Sequence, residues 1–121
     1  MRLFKNVQKG KQGEDIAKKY LQSLGYKIIT TNWHYSKKAE IDIVAEDNDI
    51  LVFVEVKARS TLFFGHPFEA ITQTKINKIR SAILSFLTKC EKKYTSYRLD
   101  CIAITDFENP KIEHVKDVGS C

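Results

Sequence analysis

At 121 residues, with 20 Lys and Arg against 15 Asp and Glu, the chain has room for one domain and carries a formal net charge of +5. Its 43% hydrophobic and 29% charged residues are ordinary globular values, which exclude a fibre or a disordered tail. No apolar run approaches the ~20 residues of a membrane-spanning helix, and the opening MRLFKNVQKGKQGED turns charged before a signal-peptide core can form, so a cytoplasmic protein is expected.

The positive excess suits a polyanionic partner such as nucleic acid without demanding one. Cys90, Cys101 and Cys121 make an odd count and read as free thiols of a reducing compartment. With no C-x-x-C pair, and with His34, His66 and His114 scattered, no zinc site is expected.

In chain order, Ile16, Ala17, Tyr20, Leu21 and Leu24 recur at helical spacing and predict a helix over about Lys11–Leu24, stopped by Gly25. Tyr26–Trp33 has strand composition. Glu40–Glu46 and Ile50–Lys57, split by polar residues, read as a β-hairpin. Residues 60–67, with Gly65 and Pro67, read as a loop. Ile76, Ile79, Ala82, Ile83, Phe86 and Leu87 stripe a second helix that begins by Thr74 and runs to about Leu87. Arg98–Thr105 is a further strand, Phe107–Pro110 a turn, and Lys111–Val115 a candidate short last strand. The sum is an α/β fold, a central mixed sheet of four to five strands flanked by helices. The hairpin makes part of it antiparallel, and a crossover from Lys57 to Leu99 adds a parallel neighbour. One domain spans 1–121, with fraying expected at 1–10 and 117–121.

The informative stretch is Glu40–Arg59, EIDIVAEDNDILVFVEVKAR. Side chains alternate faces along a strand, so Glu40 and Asp42 share a face, as do Leu51, Phe53, Glu55 and Lys57. A two-residue turn at Asn48-Asp49 would set Asp42 opposite Glu55 and Glu40 opposite Lys57. Opposed carboxylates repel, and one takes up a proton unless a cation sits between them. Mg²⁺, which binds a few carboxylates and several waters, would remove the conflict. Lys57 would then stabilise negative charge or orient a water, and the set becomes an apparatus for phosphodiester hydrolysis. A plainer reading stands beside it: Glu40–Lys57 an ordinary ion pair, Asp42 a turn cap, Glu55 in solvent. Glu14 lies on or beside the inward stripe of helix 1, where the alternative is stabilisation of the first turn's dipole. Lys75 sits at the edge of the second helix's stripe, where the alternative is a snorkelling side chain.

Taken together, G-E-D-I-A at Gly13–Ala17, L-x-x-x-G-Y ending at Tyr26, T-N-W at Thr31–Trp33, A-E-I-D-I-V at Ala39–Val44, F-V-E-V-K-A-R at Phe53–Arg59, Lys75 and R-L-D at Arg98–Asp100 cover nearly the whole chain. In them the sequence resembles the YraN-like family of small bacterial proteins predicted to be nucleases. That family is similar to archaeal Holliday-junction resolvases and to the restriction-endonuclease-like, PD-(D/E)xK superfamily. The resemblance implies a metal-dependent endonuclease acting on structured or branched DNA. It implies Asp42, Glu55 and Lys57 as the core site, with Asp42 and Glu55 on Mg²⁺ or Mn²⁺, and Glu14 as an acidic partner carried by the helix. Glu40, Arg59 and Lys75 would assist, and analogy with junction cutters points to a homodimer. Ile41 stands where the superfamily name puts proline, and Ala39 replaces the usual glycine before Glu40; neither change removes a chemical group.

Three functions compete: a nuclease, a nucleic-acid-binding module of the same fold with little activity, and a protein-interaction domain. The intact Asp42, Glu55 and Lys57 favour the first over the second. Lys18, Lys19, Lys37 and Lys38 are candidate phosphate contacts, with a solvated charged face as the alternative. Trp33 reads as core, and Phe63-Phe64 as a candidate partner surface.

Overall fold

The computed structural model describes residues 2–36 (2–9 as backbone only), 39–59, 68 and 71–118. Among them the chain forms α1 (Arg2–Ser23), β1 (Lys27–Ser36), β2 (Ala39–Asp47), β3 (Ile50–Arg59), α2 (Gln73–Lys89), β4 (Ser96–Thr105) and β5 (Lys111–Val115). No helix among these residues is long and apolar enough to cross a membrane.

The five strands lie in chain order, β1-β2-β3-β4-β5. Every pair is antiparallel except β3 with β4, which α2 joins as a crossover. This is the expected mixed α/β sheet. The helices cover opposite faces. Ala17 and Leu21 of α1 pack on Ile43, Ala45, Val52, Val54, Ile102 and Ile104. Ile79, Ala82 and Ile83 of α2 pack on Ile41, Val44, Leu51, Phe53 and Leu99. Burying one such aliphatic or aromatic side chain stabilises the fold by about 1.5–3 kcal/mol. Along β3, Val52 and Val54 face one helix while Leu51 and Phe53 face the other. Both faces are covered, which is why this strand reads as an unbroken apolar run.

Gly25, at φ 91, ends α1. Its N–H donates to the Gln22 carbonyl and the Tyr26 N–H to the Leu21 carbonyl, each at 3.0 Å. This double closure satisfies carbonyls the helix would leave bare and drops Tyr26 into the core beside Leu21. Leu24, expected on the inward stripe, is instead 50% exposed, because the closure carries the chain off that face. The helix also starts nine residues earlier than expected. Residues 2–10 are mostly good helix formers without proline, but their apolar residues, Leu3, Phe4 and Val7, stop well short of the stripe that begins at Ile16. At the other end, Thr72 caps α2 by accepting the Lys75 N–H at 3.2 Å. Fraying was expected from residue 117, yet Asp117 N–H donates to Asp100 and Val118 N–H to the Leu99 carbonyl, at 3.0 and 2.7 Å. Residues 119–121 lie outside the described residues.

Gly13 lets α1 approach β3: a Cβ there would stand 2.6 Å from the Ala58 Cβ. Replacing a helix glycine by alanine gains about 0.5–1 kcal/mol, whereas forcing an extra carbon into a packed contact costs about 1–3 kcal/mol. Gly13→Ala is therefore expected to lower the melting temperature. Gly10→Ala, whose Cβ would meet nothing within 4 Å, is expected to raise it. Thermal melts of the two variants check both signs.

Candidate functional site

The β2–β3 hairpin holds the expected register, from Asp47↔Ile50 to Ile43↔Val54, around a turn with Asn48 at φ 56. Past Ile43↔Val54 the backbone pairing ends, although both strands continue. There the Asp42 carboxylate accepts the Val56 N–H at 2.8 Å. A side chain has replaced a ladder carbonyl, which fixes Asp42 at the mouth of a fork.

Strand β2 also changes phase at that point. Ile43 faces α1, but Ile41 faces α2, so strict alternation fails across Asp42. Strand β1 follows: it pairs Thr31↔Ile43 and Trp33↔Ile41, and between them Asn32 takes a left-handed φ of 52. Two clefts meet at the fork. One, of about 490 Å³, lies towards α1 and is lined by Lys11, Glu14, Lys18, Asn32, Glu40 and Asp42. The other, of about 340 Å³, lies towards α2 and is lined by Glu40, Asp42, Glu55, Lys57, Lys75 and Lys78.

The acids and bases divide between them. On the α2 side Glu55, only 5% exposed, receives Lys75 Nζ at 2.9 Å and Lys57 Nζ at 3.3 Å on the same oxygen. On the α1 side Asn32 Nδ2 donates to Glu14 at 2.7 Å and to Glu40 at 2.8 Å. Glu14, Glu40, Asp42, Glu55, Lys57 and Lys75 thus line one continuous site. Several pairings differ from the sequence reading. Lys57 lies on Glu55, its neighbour two residues back, while Glu40 turns to Asn32. Burial overturns the alternative that left Glu55 in solvent, and Lys75 is no snorkelling residue but a partner of Glu55. Arg59, next along β3, buries its Nε without a hydrogen-bond partner among the described residues. Lys18 lines the α1 cleft; Lys19 is exposed and does not. Trp33 packs edge-on against Phe86, as core. Lys37, Lys38, Phe63 and Phe64 lie outside the described residues. Asn32 escaped the reading of separate charges; its only signal was an amide placed inside a strand by T-N-W.

Burial first, and then the negative charge of Glu55, push the Asp42 carboxyl up to about 8, against the pull of the Val56 N–H. Burial likewise raises Glu14, with the Asn32 hydrogen bond opposing it. Lys57 is held below the usual lysine range by burial and by the adjacent Lys75 ammonium. Lys75, also desolvated, ends above that range because Lys57 and Glu55 both favour its charged form.

A carboxyl raised on folding loses stability as pH climbs from its unfolded value near 4 towards its folded value. Asp42→Asn keeps an oxygen for the Val56 N–H and removes that penalty. Without added metal, the variant is therefore expected to out-melt the wild type by a margin that widens from pH 4 to pH 8. Paired melts across that range check it, and a constant margin would show that Asp42 is not desolvated.

Relatives of this chain are close to it in length. A UPF0102 protein of Renibacterium salmoninarum is 38% identical over 115 residues, covering 93% of this chain and 97% of that one. A UPF0102 protein of Rhodococcus opacus is 40% identical, covering 93% and 96%. One from Sulfurihydrogenibium is 45% identical over 98 residues, covering 81% and 84%. The family model that matches takes in residues 13–104, from the Gly13 contact that seats Glu14 to the end of β4. On that match the chain belongs to Uncharacterised protein family UPF0102.

Proposed function

We propose that this chain is a Mg²⁺- or Mn²⁺-dependent nuclease of restriction-endonuclease-like fold that hydrolyses phosphodiester bonds in structured or branched DNA. The observation that carries the reading is the fork. There the desolvated Asp42 carboxyl stands beside the nearly buried Glu55, and Lys57 and Lys75 project into the same cleft.

The residues fit a divalent cation. Among the described residues no three His, Cys, Asp or Glu side chains gather closely enough to hold a metal alone. Mg²⁺ does not need that, since it binds through one or two carboxylates and keeps several waters. Asp42 and Glu55 would hold it, and it would supply polarisation of a phosphate oxygen and activation of a water. The chain's own part is positioning and charge. Asp42 is pinned by Val56 N–H, Glu55 is held by the Lys57 and Lys75 side chains, and Glu14 adds negative charge from α1. Lys57, with its depressed pKa and Lys75 beside it, orients a water or meets charge building on the phosphate. Lys18 contacts the flanking backbone phosphates.

One observation favours a second reading, a nucleic-acid-binding module with little activity: Glu55 already carries two lysine partners, which serves as a structural lock. Incubation with labelled duplex, single-stranded and branched DNA and RNA separates the two. Cleavage with Mg²⁺ or Mn²⁺ that EDTA abolishes supports the nuclease. Binding without cleavage under every condition supports the module.

A further inference from the structure

We propose that Asn32 is a positioning residue that holds Glu14 and Glu40 together as one acidic wall and so sets the cation affinity of the fork; this rests on the metal-dependent reading above. A single nitrogen, Asn32 Nδ2, donates to Glu14 Oε1 at 2.7 Å and Glu40 Oε1 at 2.8 Å, so those two oxygens lie no more than 5.5 Å apart. Carboxylates accept only, so chemistry fixes the amide with its nitrogen towards them. The two acids come from α1 and β2, and both line the cleft that Asp42 also lines.

The backbone is shaped for this task. Asn32 sits at φ 52, a left-handed setting that asparagine tolerates and most residues avoid. It occupies the point where β1 follows the phase change at Asp42. A side chain in regular alternation would lie elsewhere. The unusual turn of the backbone and the double hydrogen bond thus belong to one arrangement. Glu14 and Glu40 line the cleft beside Asp42, which would hold the cation, and outer groups around a metal site commonly control affinity: their loss costs about 10–100-fold.

Asn32→Gly tests this, because glycine keeps the left-handed backbone and deletes only the amide. Mn²⁺ affinity, read by titration of the free-ion spin-resonance signal, is expected to weaken about 10-fold or more. In a Glu14→Gln, Glu40→Gln background the same change is expected to cost less than about 2-fold, since the groups it positions no longer carry charge. Asn32→Ser, with one donor hydrogen in place of two, is the second variant, and its loss is expected to be smaller than glycine's. Wild-type Mn²⁺ affinity in both variants would overturn the inference, as would an equal loss in both backgrounds. A wild type that binds no Mn²⁺ would instead remove the metal-dependent reading itself, and the inference with it.

Discussion

Lys57→Ala is expected to cut DNA about 10²–10³-fold more slowly than the wild type, the usual cost of losing one preorganised electrostatic group. The same variant should fold almost normally. Glu55 keeps Lys75 at 2.9 Å when Lys57 goes, so no buried carboxylate is abandoned. Because Lys75 still pairs Glu55, the loss of Lys57 should cost less than the about 3–5 kcal/mol of a buried charge left alone. Stability and cleavage measured on one preparation therefore separate chemistry from structure. A folded Lys57→Ala protein that cuts at the wild-type rate would remove this lysine from the mechanism.

Asp100→Ala is expected to cost about 3–5 kcal/mol, the range for stripping one partner from a buried charge network. Asp100 is 0% exposed. It accepts from Arg98 Nε at 3.0 Å, His114 Nε2 at 2.7 Å and the Asp117 N–H at 3.0 Å. Arg98 continues to the Tyr26 hydroxyl at 2.6 Å, and His114 Nδ1 meets the Tyr20 hydroxyl at 3.1 Å. The network therefore ties α1 to β4, β5 and the chain after β5. Burial pushes the Asp100 carboxyl up, but His114, the Asp117 N–H and Arg98 together outweigh it and hold the pKa below the usual carboxylate range. A depressed carboxylate stabilises above its unfolded pKa, and that stability is lost as pH falls through the folded value. The wild type should thus lose this contribution only below about pH 4. The gap between wild-type and Asp100→Ala melts should be full at pH 7 and narrow in acid. An Asp100→Ala protein as stable as the wild type at pH 7 would show that Arg98 and His114 do not depend on it.

Much of the fold could be read from the sequence because each element advertises itself by a single rule. The hairpin register followed from a two-residue turn at Asn48-Asp49, and the α2 stripe from helical spacing. What stayed hidden needed two elements at once. Strict alternation put Glu40 beside Asp42 and opposite Lys57, but the phase change at Asp42 sends Glu40 to Asn32 instead. No single-strand pattern reports such a change, which depends on β1 and β2 deforming together. The acids and Lys75 were visible as charges among apolar residues, whereas a neutral amide such as Asn32 raises no conflict to notice. The Asp100 network was likewise opaque, because Tyr20 and His114 are 94 residues apart.

That long separation bears on how the molecule comes together. Strands laid down in chain order close mostly short loops, which favours early formation of the hairpin and then of the crossover through α2. Asp42, Glu55, Lys57 and Lys75 all travel with those parts. Helix α1 is synthesised first and packs on β2 and β3 as well as on β4, so only its ties to β4 and β5 wait for the end of the chain. Glu14 rides on that helix. A chain from which α1 has opened consequently keeps Asp42, Glu55, Lys57 and Lys75 but loses Glu14, and the full set of site residues coincides with the finished fold.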